Sequence, residues 1–253
     1  MFSKAIVRTP CKNIINGLTT ANLGLPDYEL ALNQHKEYVD TLKKCGLEVI
    51  VLDADEDYPD STFVEDTALL TPKCAIITNP RASSRKGETV GIKTVLREYF
   101  SNIEIVYEPG TVEAGDIMMV GDHYYIGLSQ RTNINGAEQV IDILNNHGMT
   151  GSMVTLEKVL HLKSGVAYLE NNNLVAAGEF LLKEEFKNFN ILKIDDDESY
   201  AANCVWINDY VLIPKGFPKA KETIEKENYN VIEINVSEFQ KLDGGLSCLS
   251  LRF

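Results

Sequence analysis

Residues able to do chemistry recur at intervals along this 253-residue chain. Five clusters stand out. The first is Asp60-Ser61-Thr62-Phe63-Val64-Glu65-Asp66, and the second Gly110-Thr111-Val112-Glu113-Ala114-Gly115-Asp116. The third is Leu160-His161-Leu162-Lys163-Ser164-Gly165, and the fourth Ser199-Tyr200-Ala201-Ala202-Asn203. The fifth is Asp243-Gly244-Gly245-Leu246-Ser247-Cys248. Together they offer carboxylates, a histidine, an amide and a thiol. A thiolate is a strong nucleophile, and a histidine near it can supply or remove the proton that a displacement needs. Taken singly, the residues say little. A lone cysteine near a chain end is more often a core residue, and a lone histidine a structural one. Everything turns on whether the fold brings the clusters together.

The elements around them have a regular order. Each of the first four clusters leads into a short apolar run, a polar turn and a second run. The pairs are 63–70 with 75–78, 117–120 with 124–127, 166–169 with 174–177, and 204–207 with 210–213. Pro72-Lys73, Gly121-Asp122, Asn171-Asn172-Asn173 and Asn208-Asp209 supply turn chemistry, so each pair reads as a β-hairpin. Helical spacing follows in 88–100, in 135–147 with Gly148 as its stop, and in 218–228, which opens on Pro218. The segment 181–187 is too short for a helix. Runs at 49–52, 103–106, 153–156, 191–194 and 231–234 close the units. They are continuous rather than alternating, which predicts strands buried on both faces.

The two ends complete the pattern. A strand at 5–8 is followed by a helix at 28–45 that Gly46 ends, while a C-terminal strand at 246–251 lacks a partner. Pairing the termini makes a fifth hairpin and closes a ring. The expectation is one α/β domain over residues 1–253, a fivefold pseudosymmetric propeller of ββαβ units. Equivalent positions of the five units then converge near the axis. A doubly wound open sheet fits less well, because parallel βαβ units do not need hairpins.

Composition narrows the function classes. The net charge is −13 and no run of Lys or Arg occurs, so nucleic acid is not an expected partner. No stretch approaches the ~18 apolar residues of a membrane span, and residues 1–8 lack the apolar centre of a signal peptide. A cytoplasmic protein without a membrane partner is expected. Five scattered cysteines without a CxxC pair read as free thiols rather than a disulfide framework or zinc site. His35, His123 and His147 read as structural, and Asp195-Asp196-Asp197-Glu198 as a solvated loop.

The clusters carry a resemblance. The stretches Ala5-Ile6-Val7-Arg8-Thr9-Pro10-Cys11, Pro59-Asp60-Ser61 with Phe63-Val64-Glu65-Asp66, and Pro109-Gly110 through Asp116 resemble the dimethylarginine dimethylaminohydrolases, in their compact bacterial form. Lys158-Val159-Leu160-His161-Leu162-Lys163, Glu198-Ser199 through Asn203, and Asp243-Gly244-Gly245 with Ser247-Cys248 extend the likeness over essentially the whole chain. That family belongs to the amidinotransferase/arginine-deiminase superfamily of fivefold α/β propellers. The resemblance implies hydrolysis of methylated arginines to citrulline, with no cofactor or metal, and a homodimer.

The resemblance also implies roles. Cys248 is the nucleophile, His161 the proton shuttle and Glu113 its orienting carboxylate. Glu113 and Asp66 flank the guanidinium. Arg85 and Arg131 receive the substrate α-carboxylate, and their equivalent places one unit apart agree with a shared pocket. Asp60 and the backbone near Leu242 receive the α-amino group. Glu65 belongs to the same substrate-binding motif, and Leu18 lies on a Gly-bearing loop able to act as a lid. The chemistry is consistent: a guanidinium carbon is a poor electrophile, and a soft thiolate suits it. Two other readings use the same ring: another amidine hydrolase with the same nucleophile, and a non-catalytic propeller.

Overall fold

The computed structural model describes all of residues 1–253. Five three-stranded sheets are built from fifteen strands. In chain order these are β1 (Lys4–Arg8), α1 (Tyr28–Lys44) and β2 (Glu48–Leu52); then β3 (Ala68–Leu70), β4 (Ala75–Ile77), α2 (Glu88–Leu96) and β5 (Ile103–Ile105). Next come β6 (Ile117–Val120), β7 (His123–Leu128), α3 (Ile134–Asn146) and β8 (Thr150–Thr155), followed by β9 (Val166–Tyr168), β10 (Asn173–Ala176) and β11 (Asn190–Lys193). Then follow β12 (Val205–Ile207), β13 (Tyr210–Pro214), α4 (Pro218–Glu225), β14 (Asn230–Ile234), the short α5 (Ser237–Gln240) and β15 (Leu251–Arg252).

Every sheet repeats one pattern. A first strand pairs antiparallel with a middle strand, which pairs parallel with a third. In the sheet β15-β1-β2 the first strand comes from the C-terminus and the middle one from the N-terminus, so the ends close the ring as expected. First strands pack against one another between sheets: β15 on β3, β6 on β9, β9 on β12. Leu70, Met118, Ala167, Val205 and Leu251, one from each sheet's first strand, line a common cavity. The first strands are therefore the inner ones and their shared axis is the centre of the ring.

Local chemistry accounts for the boundaries. Asp27 caps α1 and Asn133 caps α3, each side chain accepting a backbone N–H of the first turn. Gly46 and Gly148 stop those helices with φ of +91° and +68°, where a Cβ would be strained. The 181–187 segment forms only short 3-10 turns, so the fourth unit has no true crossover helix.

Two expectations fail here. The closing strands β2, β5, β8, β11 and β14 are largely half-buried or exposed, not buried on both faces. Each is the outer strand of its sheet, with no neighbour beyond it. The continuous burial lies in the middle strands, such as Ala5-Ile6-Val7 and Ala75-Ile76-Ile77. The acidic run is not wholly solvated either. Glu198 is buried, and its carboxylate accepts N–H groups of Lys219 and Ala220 at the start of α4. No helix is long and apolar enough to cross a membrane.

Candidate active site

Each inner strand is entered through 3-10 structure, at Val64–Thr67, Ala114–Asp116, Leu162–Ser164, Asp196–Ala202 and Ser247–Leu249. Neighbouring turns pack on one another at one end of the ring. The reactive residues sit on or beside them. Asp66 is within the first turn, Glu113 just before the second, His161 just before the third, Asn203 just after the fourth and Cys248 within the fifth.

Cys248 corrects the expected strand at 246–251, since Ser247–Leu249 is a 3-10 turn and only Leu251–Arg252 forms a strand. Asn203 explains the turn. Its Oδ1 accepts the Ser247 N–H at 3.0 Å, and its Nδ2 donates to Ser247 Oγ at 3.1 Å. A Cβ on Gly245 would lie 2.4 Å from that same Oδ1, so only glycine lets the chain pass.

Leu18, Asp60, Asp66, Arg85, Glu113, Arg131, His161, Leu242 and Cys248 line one cleft, which encloses about 30 Å³. Phe63, Leu160, Asp243 and Gly244 complete its wall. These four lie within or beside the clustered motifs. Their signal was proximity alone, which sequence cannot convert into a role.

Glu65 is the exception, for its side chain does not reach the cleft. Its carboxylate accepts from Lys163 Nζ at 2.7 Å, Arg252 Nη2 at 3.1 Å and Ser247 Oγ at 2.8 Å. Those residues border the larger axial cavity, about 140 Å³ and mainly apolar. Ser247 faces that cavity and its neighbour Cys248 faces the cleft, so the Glu65 cluster forms the partition between them. No histidine lines the larger cavity, whereas the smaller cleft brings a thiol and a histidine together. Lys163, without an evident role in the sequence, is the counter-charge of Glu65.

The cleft's polar groups are tightly ordered. His161 Nε2 lies 2.8 Å from Glu113 Oε2. Glu113 Oε1 is buried without a hydrogen-bond partner, and Arg131 Nη1 stands 3.6 Å from it. Asp66 accepts from Gly115 N–H at 3.1 Å and from Arg85 Nη1 at 2.6 Å. Arg85 also forks onto Glu88, with Nε and Nη2 donating, and Nη2 reaches the Phe63 carbonyl at 3.1 Å. Four of its five N–H groups are thereby engaged, leaving one on Nη1. Glu88 drew no notice in the sequence, since one more acidic residue opening a helix carries no signal. The loop carrying Leu18 is fastened too: Leu18 N–H donates to Asp60 at 3.0 Å, and Thr19 Oγ1 to the Lys241 carbonyl at 2.9 Å.

Electrostatics set His161 and Cys248 apart. Burial by itself lowers the His161 pKa, but the charges of Asp66 and Asp116 and the Glu113 hydrogen bond override it and raise it to about 9. The imidazole is therefore protonated at neutral pH. Burial, with the charges of Glu65 and Asp66, pushes the Cys248 thiol up to about 12, so the thiol is neutral there. Gly245 N–H points at Sγ from 3.4 Å and opposes that shift. Asp66, Glu113 and His161 also present ligand-type atoms within 4.8 Å of one another. The Nε2 bond to Glu113 and the surrounding carboxylate charges favour the imidazolium, which would have to lose a proton before binding a cation there.

The family model described as N,N dimethylarginine dimethylhydrolase, eukaryotic, matches residues 26–250. The chain belongs to the dimethylarginine dimethylaminohydrolase family. A member from Pseudomonas aeruginosa, named N(G),N(G)-dimethylarginine dimethylaminohydrolase, is 56% identical over 254 residues, covering all of both chains. The solved structure of a Cys-to-Ser mutant of the Pseudomonas aeruginosa protein, complexed with citrulline, superposes with a TM-score of 0.99 at 54% identity and full coverage of both. The N-terminal domain of ArgZ, a cyanobacterial arginine dihydrolase, superposes at a TM-score of 0.90 over 100% of this chain and 97% of that one. Its identity is 18%, so it shares the fold alone. The fivefold propeller of this family is the architecture seen here.

Proposed function

We propose that this chain hydrolyses Nω-methylated arginines to citrulline and methylamine or dimethylamine through a covalent intermediate on Cys248. One observation carries the reading. A thiol, an imidazolium and two carboxylates meet in a single buried cleft, in a chain of this family.

The substrate enters as a cation. Glu113 Oε1, buried and without a partner, is placed to accept a guanidinium N–H, with Asp66 as a second carboxylate nearby. Arg131 and the remaining N–H of Arg85 receive the α-carboxylate; Asp60 and the backbone at Leu242 receive the α-amino group. The substrate's charge beside Sγ offsets the carboxylates that hold the thiol neutral, so ionisation of Cys248 follows binding. The thiolate attacks the guanidinium carbon and forms a tetrahedral adduct. His161 gives its proton to the methylated nitrogen, which leaves as the amine. The S-alkylthiouronium then takes up water, with the now neutral His161 accepting a proton. Collapse expels the thiolate and leaves the ureido group of citrulline. A positioned acid–base group of this kind contributes ~10²–10⁴-fold.

The reading takes residues 1–253 as one catalytic unit that needs no cofactor, located in the cytoplasm, with a homodimer implied by the family resemblance. The test is citrulline formation from asymmetric dimethylarginine, with Cys248→Ser in parallel. Product from wild type and none from the variant is expected. A silent wild type that turns over arginine or a ureido amino acid instead would move the substrate assignment and leave the thiol chemistry in place.

A further inference from the structure

Asp116 is completely buried and lies outside the cleft. Its Oδ1 accepts the N–H of Leu162, the residue directly after His161, at 2.9 Å. Its Oδ2 accepts the Ser129 hydroxyl at 2.6 Å. That hydroxyl oxygen accepts in turn the N–H groups of Arg131 and Thr132, at 2.9 and 3.1 Å. Thr132 Oγ1 accepts the Glu113 N–H at 3.2 Å, and the Asp116 N–H returns to the Glu113 carbonyl at 3.0 Å. One carboxylate thus fastens backbone beside three cleft residues, carried on three separate loops.

A buried carboxylate is tolerated only where its acceptor sites are used. Here both oxygens are used by groups that flank His161 and Arg131. The charge also matters. His161 faces Asp66 from the first entry turn and Glu113 and Asp116 from the second. Cys248 and Arg131 border the same cleft, and Lys163 is taken up by Glu65. Of the three carboxylates that favour the imidazolium, Asp66 and Glu113 line the cleft and serve the bound guanidinium as well. Asp116 is the one whose charge is not shared with substrate.

We infer that Asp116 is a positioning residue for the hydrolysis, orienting His161 and holding it protonated while, through Ser129, it places Arg131. The inference rests on the roles given to His161 and Arg131 under the proposed function. Asp116→Asn keeps an oxygen for Leu162 N–H but removes the charge. Ser129→Ala keeps the Asp116 charge and its bond to Leu162 N–H but removes the hydroxyl that holds the Arg131 and Thr132 N–H groups.

Two readouts separate the roles. The first is titration of the His161 ring by NMR in the free enzyme, assigned with His161→Gln, which needs no turnover. The second is kcat and KM for asymmetric dimethylarginine across pH, with thermal melts to confirm folding. In Asp116→Asn the His161 titration moves to lower pH and kcat falls about 10²-fold, the scale of a misplaced catalytic group. In Ser129→Ala the titration stays put and KM rises roughly five- to tenfold, the scale of one hydrogen bond. An unmoved titration in folded Asp116→Asn, or an unmoved KM in Ser129→Ala, overturns the corresponding half of the inference. If Asp116→Asn does not fold, Asp116→Glu, which keeps the charge and displaces the bonds, must retain the raised titration. Absence of turnover in wild type overturns the hydrolase reading itself, whatever the titration shows.

Discussion

His161 Nε2 and Glu113 Oε2 are 2.8 Å apart, both side chains buried, in a protein whose sequence separates them by 48 positions. With the charges of Asp66 and Asp116, the Glu113 hydrogen bond keeps the imidazole charged well above the ordinary histidine range, at about 9. Protonated His161 is the acid for amine departure and Cys248 is already ionised in the substrate complex, so kcat should fall at alkaline pH as His161 loses its proton. Glu113→Gln removes charge that favours the imidazolium, so the alkaline limb moves to lower pH and the rate drops by ~10²-fold or more. A limb that stays fixed in Glu113→Gln would show that another group sets it.

The same shift carries a stability consequence. The folded His161 pKa lies above its unfolded value of about 6.5. Its contribution is therefore complete below pH ~6.5 and is lost as pH rises through about 9. Denaturant melts of wild type and His161→Gln should converge across that window. Parallel curves from pH 6 to 10 would contradict the assignment.

Glu65 links the axial partition to the thiol. Its charge, after burial, is the next largest cause of the raised Cys248 pKa. In the free enzyme, alkylation of Cys248 by iodoacetamide should be slow at pH 7 and rise without a plateau up to pH 10. Glu65→Gln removes the anion and leaves Lys163 and Arg252 nearby, so alkylation at a fixed pH should be faster. Slower or unchanged alkylation in a folded Glu65→Gln protein would count against this link.

Much of this was legible in the sequence because the units repeat. The hairpins at 117–120 with 123–128 and at 205–207 with 210–214 form where their turn residues place them, with Gly121 and Asn208 at positive φ. Cys248, His161 and Glu113 meet because equivalent ends of the five units meet. What was hidden needed three dimensions. Burial of a closing strand depends on its being outermost, which periodicity does not encode. The turn at Cys248 depends on Asn203, 45 residues away in sequence. Glu65 and Asp66 are neighbours in one 3-10 turn, yet their side chains serve opposite sides of the partition.

Gly115 sits where a side chain has no room. A Cβ there would lie 2.8 Å from Asp66 Oδ1 and 3.0 Å from His161 Nδ1. Gly115→Ala should therefore displace both groups and lower kcat/KM by about 10²-fold, the scale of a misplacement near 1 Å. Circular dichroism would check that the fold survives. Full activity in this variant would mean that the cleft is looser than its geometry states.

Arg85 is the cation among Asp66, Glu88 and the Phe63 carbonyl. Arg85→Ala strands two buried carboxylates, so it should cost about 3–5 kcal/mol of stability, read in denaturant melts. In the fraction that folds, KM for methylarginine should rise more than kcat falls. A loss of kcat alone would remove Arg85 from substrate binding.

The covalent step is the centre of the account, and acid-quenched mass spectrometry reaches it directly. Enzyme mixed with excess asymmetric dimethylarginine and quenched within a turnover should carry the added thiouronium mass on the peptide containing Cys248, decaying to free thiol as citrulline appears. Citrulline formed at full rate with no adduct on that peptide, or an equal rate from Cys248→Ser, would contradict a thiol mechanism.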